Sequence, residues 1–135
     1  MKTTALRRAR VLGPVQQEIA RIQAGLSFRA VAHLQKALGI PLEDLAAALG
    51  MSRATLHRRK QQGRIASEES EKLVRYQRLL SQAETVLGDA TSAREWLTHP
   101  QFGLGNAVPW EFARTELGAR EVEDLLGRIE YAVYS

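Results

Sequence analysis

The chain has 135 residues, of which 44% are hydrophobic, and a formal net charge of +4 at pH 7. This length suits one ordinary domain, or two small ones that share a core. The lack of cysteine excludes disulfides, thiolate metal sites and cysteine nucleophiles, and no apolar run approaches the roughly 20 residues that span a bilayer. Because no apolar stretch of signal-peptide length follows the basic residues near the N-terminus, we expect a cytoplasmic protein without membrane contact.

Charge is divided unevenly along the chain. Residues 1–64 hold 12 Lys and Arg against 3 Asp and Glu, a net +9, whereas residues 65–135 hold 7 against 12, a net −5. A basic segment attracts a polyanion such as nucleic acid through its phosphates, whatever the base sequence. We therefore expect the first half to bind nucleic acid and the acidic second half to face protein or solvent.

Helical patterns follow one another along the chain, and strand patterns are almost absent, which predicts an all-α protein. The first predicted helix carries Val15, Ile19 and Ile22 on one stripe and stops at Gly25. Three more helices are predicted to follow Ser27, to run from Pro41 to Gly50 and to run from Ser52 to Gly63. A long helix is predicted to begin at Ser67 as its N-cap, and a short one to end near His99. The last two are predicted to begin at Pro109 and at about Ala119.

Two short helices with a pause of about three residues between them, the second one basic, are typical of a helix-turn-helix. The first helix needs a small residue where it crosses its partner, and Ala46 supplies it. The turn needs a residue that tolerates a left-handed backbone, and Gly50 supplies that. The space between the helices is predicted to be filled by Leu45, Leu49, Met51 and Leu56.

One position departs from the usual helix-turn-helix pattern. Arg59 stands where an apolar residue is common. Either Ile65 supplies that packing or the second helix is offset. The basic run over residues 57–64 would by itself indicate only a solvated helix face. Its place on the second helix of a correctly spaced pair, within the basic half, favours DNA binding.

Side chains on the outward face of the second helix are the candidate DNA contacts. If Leu56 points inward, Arg53, His57 and Arg58 point outward, and we predict that they contact base edges. Ser52 and Thr55 at the helix N-terminus can bond phosphates or bases. Gln61 lies further along that face, and phosphate contacts are predicted for Arg59, Lys60 and Arg64.

A single recognition helix gives limited affinity, so proteins of this kind usually bind DNA as dimers. We expect a homodimer through helical contacts. One candidate interface is the first helix, with its apolar stripe. The other is a stripe of leucines at every seventh position, Leu73, Leu80 and Leu87, beside Tyr76, Leu79 and Ala83. Packing within one chain would explain either stripe equally well.

No arrangement of residues indicates catalysis. His33, His57 and His99 lie far apart without carboxylates at metal-ligand spacing. The Gly-Leu-Gly-Asn segment over residues 103–106 lacks the preceding strand and the third glycine of a dinucleotide fingerprint, and no nucleophile is paired with a base. We therefore expect no enzyme activity, no metal and no cofactor.

The last third of the chain carries an ordered set of short motifs: Trp-Leu, a Leu-Gly loop, a proline, Thr-x-x-Gly-Ala, Val, Leu-Leu and Arg-Ile-Glu before a short aromatic end. In order and spacing they resemble the toxin-binding domain of the Xre/MbcA/ParS-like antitoxins. With the helix-turn-helix, the resemblance covers roughly residues 28–135. Its positions are Trp96, Leu97, Leu104, Gly105, Pro109, Thr115, Gly118, Ala119, Val122, Leu125, Leu126, Arg128, Ile129 and Glu130.

The resemblance implies an antitoxin that neutralises a RES-domain toxin, an enzyme that depletes NAD, and that represses its own operon by binding operator DNA. We accordingly divide the chain into an N-terminal helix over residues 1–26 as a candidate dimerisation element, a helix-turn-helix DNA-binding domain with a long connecting helix over residues 27–88, and a small helical toxin-binding domain over residues 89–135. The alternative is a helix-turn-helix regulator whose C-terminal half only dimerises or senses a ligand. An enzyme subunit is a more remote possibility.

The resemblance also implies that the C-terminal segment obstructs the entrance to the toxin's active site. We expect Leu125, Leu126 and Ile129 to belong to the protein's own core. The predicted toxin contacts are Arg128, Tyr131, Val133, Tyr134 and Ser135.

Two residues depart from the family pattern. Asn106 stands where a second glycine is common, and Ala132 stands where glycine is usual. Because alanine would let the last helix continue, the tail is either a continued helix or an extended plug.

Overall fold

The computed structural model describes residues 13–134, without the side chains of Val133 and Tyr134. Predictions that fall on residues 1–12, on those two side chains or on Ser135 lie outside the described residues. Within them the chain forms helices and no β-strand, as predicted. The helices are α1 (Pro14–Ala24), α2 (Phe28–Leu38), α3 (Leu42–Ala48), α4 (Arg53–Gln62), α5 (Ser67–Leu87), α6 (Ala90–Thr98), α7 (Pro109–Phe112) and α8 (Glu116–Tyr134), with a 3₁₀ turn at Phe102–Leu104 between α6 and α7.

Helix α1 packs on α5 through only part of its apolar stripe. Ile22 packs against the core, whereas Val15 is 67% exposed and Ile19 is 48% exposed. The helix ends at Gly25, whose φ is 89°. A Cβ atom there would lie 2.2 Å from the carbonyl oxygen of Ile65, so glycine is needed for this close approach. The outer part of the stripe is left uncovered.

Helices α3 and α4 form the predicted helix-turn-helix. Ala46 is buried where α3 meets its neighbours, and Gly50 in the turn has a φ of 87°. The hydroxyl of Ser52 accepts a hydrogen bond from the backbone N–H of Thr55, which confirms Ser52 as the N-cap of α4. The predicted interior residues Leu45, Leu49 and Met51 are buried, and Leu56 packs partly buried against the core.

The long helix α5 is the centre of the protein. It contacts α1, α2, α6 and α8. Its leucine stripe is internal: Leu73, Tyr76, Leu79 and Ala83 are buried, and Leu80 and Leu87 pack against the same core. Packing within the chain therefore explains this stripe.

The start of α5 differs from the prediction. Ser67 is the first helical residue rather than the N-cap, and Ala66 occupies the capping position. Alanine has no side-chain acceptor, so the Glu69 carboxylate accepts the Ala66 N–H at 2.7 Å from inside the first turn. The acidic residue supplies the cap that was assigned to the serine.

Helix α8 begins about one turn before the predicted Ala119. The hydroxyl of Thr115 accepts the backbone N–H of Gly118 at 3.0 Å, which supports a helix start at Glu116. A Cβ at Gly118 would lie 1.7 Å from the Phe112 carbonyl oxygen, so this turn packs directly on the α7 backbone. At the other end the helix continues through Ala132 to Tyr134, as an alanine there allows.

Buried residues from both halves of the chain form one hydrophobic core that runs from Leu26 to Leu126. A ring contact between Tyr76 and Trp110, with centroids 6.4 Å apart, joins α5 to α7. Burial raises the pKa of the Tyr76 hydroxyl, and the charges of Arg114 and Arg75 offset this in part. In the part of the chain that is described, no helix is both long and apolar enough to cross a membrane.

Candidate nucleic-acid and protein-binding surfaces

The outward face of α4 is polar and cationic. The helix contains Arg, Lys and His but no Asp or Glu, and none of its residues is fully buried. At about 100° per residue, Ala54, His57 and Gln61 occupy the centre of the exposed face. The basic side chains lie on its two sides, with Arg53 and Lys60 towards one edge and Arg58 towards the other.

The predicted base-contacting residues are all exposed, but they do not form one cluster. Arg53 and His57 line a shallow groove between α3 and α4 together with Leu42, Glu43, Leu56 and Lys60. Arg58 lies outside that groove, on the side of the helix away from α3. A helix that presents cations on both edges can contact the two strands that flank a DNA groove, which a single cluster cannot do.

Ala54 is a further candidate contact that the charge and motif patterns did not predict. It is exposed in the first turn of α4, between the cations that flank the helix. A small side chain lets the helix approach base edges closely, and a methyl group can contact the methyl group of thymine. Helical periodicity relative to Leu56 predicts that Ala54 faces outward. Alanine, however, has no charge or hydrogen-bonding group that would indicate a DNA contact.

Arg59 is placed differently from its basic neighbours. Its Nε donates to Oε1 of Glu69 at 2.9 Å and its Nη2 donates to Oε2 at 3.4 Å, while Nη1 donates to the Gln62 side chain. The side chains of Arg59 and Glu69 are 20% and 10% exposed. The guanidinium thus fills the commonly apolar position by pairing with α5, and Ile65, the predicted packing residue, is buried. The phosphate contact predicted for Arg59 has no support from this placement.

Glu69 has a second contact that makes the pair more than a surface ion pair. The same Oε1 atom that accepts from Arg59 accepts from the backbone N–H of Ala66. One carboxylate therefore holds the recognition helix α4 and the first turn of α5 in a fixed relation. Because both partners are largely removed from water, losing either one leaves a poorly solvated charge.

Arg64 closes the end of α1. Its Nη1 donates to the carbonyl oxygens of Ala24 at 3.2 Å and Gly25 at 3.0 Å. These carbonyls lie at the helix C-terminus, where unpaired acceptors and the helix dipole favour a cation. The side chain stays partly accessible, so Arg64 joins the helix-turn-helix to α1 and leaves some of its guanidinium facing solvent.

The C-terminal surface has a different character. Ala119, Val122 and Leu126 on one side of α8 are buried, as predicted for Leu126, and Leu125 packs partly buried against them. Ile129 is only half-buried, because it lies near the end of the helix where fewer elements cover it. This side of α8 belongs to the protein's own core.

The opposite side of α8 is open to solvent. Arg128 is exposed, and Tyr131 is 76% exposed. These two residues border a shallow groove with Glu123, Asp124 and Gly127. Of the five predicted toxin contacts, they are the two whose side chains are described. Among residues 13–134 no group of three or more His, Asp or Glu side chains could hold a metal ion.

Comparison with known proteins gives two family matches. The antitoxin Xre-like helix-turn-helix domain matches residues 17–78, and the antitoxin Xre/MbcA/ParS C-terminal toxin-binding domain matches residues 82–132. The first match contains α3 and α4, and the second contains most of α8. Together they cover both candidate surfaces.

Three bacterial proteins named antitoxin Xre are similar to this chain. The one from Yersinia enterocolitica is 36% identical over 116 residues, which is 84% of this chain and 78% of that protein. The one from Photorhabdus laumondii is 35% identical over 54% of this chain and 50% of its own length. The one from Pseudomonas putida is 32% identical over 46% of this chain and 39% of its own length. The helix-turn-helix, the toxin-binding domain and the extent of the Yersinia match establish that this chain belongs to the Xre family of antitoxins.

Proposed function

We propose that this antitoxin represses its own operon through α4 and neutralises a RES-domain toxin through the end of α8, and that it does both in the cytoplasm. The RES identity of the toxin is what the sequence resemblance implies. The observation that carries the proposal is the contrast between two exposed faces on one core. One is cationic without an acidic residue, and the other ends in an exposed tyrosine.

On the DNA side, α4 enters the major groove of the operator. Arg53, His57 and Arg58 contact base edges, and Ala54 contacts a base methyl group. Arg59 is left out of this set because its guanidinium pairs with Glu69. The remaining contacts, mostly to phosphates, are made by Ser52, Thr55, Lys60, Gln61 and Arg64.

Two recognition helices on one operator require a dimer, and α1 is the element that remains available for it. The leucine stripe of α5 packs into the protein's own core, whereas Val15 and Ile19 are exposed. Residues 1–26 therefore act as the dimerisation element in this proposal. Residues 27–88 bind DNA and residues 89–135 bind toxin in this proposal. The two segments are not separate folding units, because both contribute to one core.

On the toxin side, the tail acts as a continued helix. Because α8 continues through Ala132 to Tyr134, Arg128 and Tyr131 lie on a helix end beyond Leu126, the last buried residue among the described side chains. The toxin contacts in this proposal are Arg128, Tyr131, Val133, Tyr134 and Ser135. A tyrosine at such an end supplies a large contact area at little cost in side-chain freedom. This end contacts the toxin at the entrance to its active site.

Deletion of residues 132–135 tests the toxin half of the proposal. Among the described side chains the buried residues end at Leu126 and Ala132 is exposed, so we expect an unchanged melting temperature and unchanged operator affinity in a gel shift. We expect loss of growth rescue when the truncated antitoxin is produced together with the toxin encoded beside it. A truncated protein that still rescues growth would show that the tail does not neutralise the toxin.

A further inference from the structure

Large apolar side chains that are exposed to solvent occur in two places among the described residues. Val15 and Ile19 lie on α1, and all the others lie in the C-terminal part of the chain. That second group consists of Phe102, Phe112, Leu117 and Tyr131. Single exposed apolar side chains are ordinary on a protein surface, but this group is confined to residues 102–131, which makes that region a candidate for binding a partner.

Phe102 is the most exposed of them, at 90%. It lies at the start of the 3₁₀ turn, which is closed by an antiparallel bridge between Gln101 and Ala107. Asn106 completes the turn with a φ of 69°, a conformation that asparagine tolerates better than most residues and that a glycine would adopt freely. The backbone thus holds Phe102 in a defined place, and its exposure is not that of a loose loop.

The turn is fixed to α8 by its other residues. Leu104 is buried, and a Cβ at Gly103 would lie 2.8 Å from Cδ1 of Leu125. Phe102 takes no part in this packing. Its side chain contributes little to folding, so a polar substitution there changes the surface and leaves the core intact.

Beside the turn, α8 presents a continuous exposed stripe. Its members are spaced four, three, four and three residues apart, which places them on one side of the helix. Leu117 lies at one end, 71% exposed, and Tyr131 lies at the other. Between them are Glu121, Asp124 and Arg128, all exposed. Leu125, which the turn approaches at Gly103, lies four residues after Glu121 and three before Arg128, so the turn that carries Phe102 docks beside this stripe.

From this arrangement we infer that the toxin contact extends from the helix end to Phe102 and the exposed stripe of α8, with Phe102 filling an apolar pocket on the toxin. The inference rests on the proposed toxin binding by this part of the chain. The residues of the turn and the stripe lie within residues 82–132, the segment that matches a toxin-binding domain. The facing toxin surface has apolar pockets for Phe102 and Tyr131 and basic groups opposite Glu121 and Asp124.

The test is the affinity of full-length Phe102→Ser for the toxin encoded beside this antitoxin, measured by calorimetry with a catalytically inactive toxin. We expect the dissociation constant to rise at least tenfold. The melting temperature and the operator affinity should stay the same as those of the unsubstituted protein. Leu117→Ser should show a smaller loss. The control is His33→Ser, which removes an exposed ring from α2, outside both proposed surfaces, and should bind the toxin with unchanged affinity.

Each other outcome overturns the inference in a distinguishable way. If the unsubstituted antitoxin binds the toxin and Phe102→Ser binds it equally well, the contact does not reach the turn, and the proposed function stands. If Phe102→Ser changes the oligomeric state in sedimentation and not the toxin affinity, the surface joins two copies of this chain. If the unsubstituted antitoxin fails to bind the toxin, the proposed function fails first.

Discussion

The exposed face of α4 and the exposed stripe of α8 lie on the same core and differ in what they offer a partner. The face of α4 carries Arg53, Arg58 and Lys60 without an acidic residue or a large apolar one. The stripe of α8 combines acidic and basic side chains with Leu117 and Tyr131. The first suits a uniformly anionic partner, and the second suits a protein. Two functions can therefore share one small fold when they depend on different exposed side chains.

The largest expected effect is on stability, and it comes from substitution of Glu69, which lies on α5 and not on the exposed face of α4. Glu69→Ala removes the partner of Arg59 and the acceptor for the Ala66 N–H together. The free energy of unfolding should fall by about 3 kcal/mol. This value is at the lower end of the range for breaking a buried ion pair, because Arg59 keeps some contact with water. Urea denaturation followed by circular dichroism measures this change.

The matched control is the exposed pair on α8. Glu116 pairs with Arg120 at 3.1 Å, with the two side chains 72% and 69% exposed. Glu116→Ala should change stability by less than about 0.5 kcal/mol. Equal losses for the two variants would mean that the Arg59–Glu69 pair does not hold α4 in place.

Removing a proposed base-contacting side chain should have a smaller effect, on operator binding only. Arg58→Ala takes an exposed guanidinium from the outward edge of α4, where no described ion pair holds it. Operator affinity should fall by about 1 to 3 kcal/mol at matched salt. Arg78→Ala on α5 is the control and should bind normally. An unchanged gel shift for Arg58→Ala would contradict its assignment to a base edge.

The smallest expected effect is a difference in the salt dependence of operator affinity between substitutions of Lys60 and of its neighbour Arg59. Lys60→Ala should reduce the slope of log affinity against log salt concentration by about 0.9, because one phosphate contact is lost. Arg59→Met should leave that slope unchanged, because the guanidinium pairs with Glu69. A reduced slope for Arg59→Met would return Arg59 to the phosphate contacts. Fluorescence anisotropy over a range of salt concentrations provides the slopes.

Local sequence patterns were sufficient for most of the fold. Apolar spacing, capping residues and terminal glycines predicted the order and most of the bounds of the helices, including the helix-turn-helix with Ala46 and Gly50. The starts of α5 and α8 were misplaced because the decisive caps come from Glu69 and Thr115.

Long-range relations account for what the sequence could not provide. Arg59 and Glu69 are ten residues apart on different helices, so no local pattern links them. The heptad spacing of Leu73 and Leu80 is the same whether the facing helix belongs to this chain or another. The exposure of Phe102 depends on how its turn closes and docks on α8, because an apolar residue beside a glycine is equally compatible with burial.

The division between the two surfaces is tested most directly by measuring operator and toxin affinity on the same purified Arg58→Ala and Tyr131→Ala proteins. We predict a crossed result. Arg58→Ala loses operator affinity and binds toxin normally, whereas Tyr131→Ala binds the operator normally and loses at least about 1.4 kcal/mol, a factor of ten, in toxin affinity. If each variant lost both affinities to a similar extent, DNA and toxin would not be bound by separate faces of this fold.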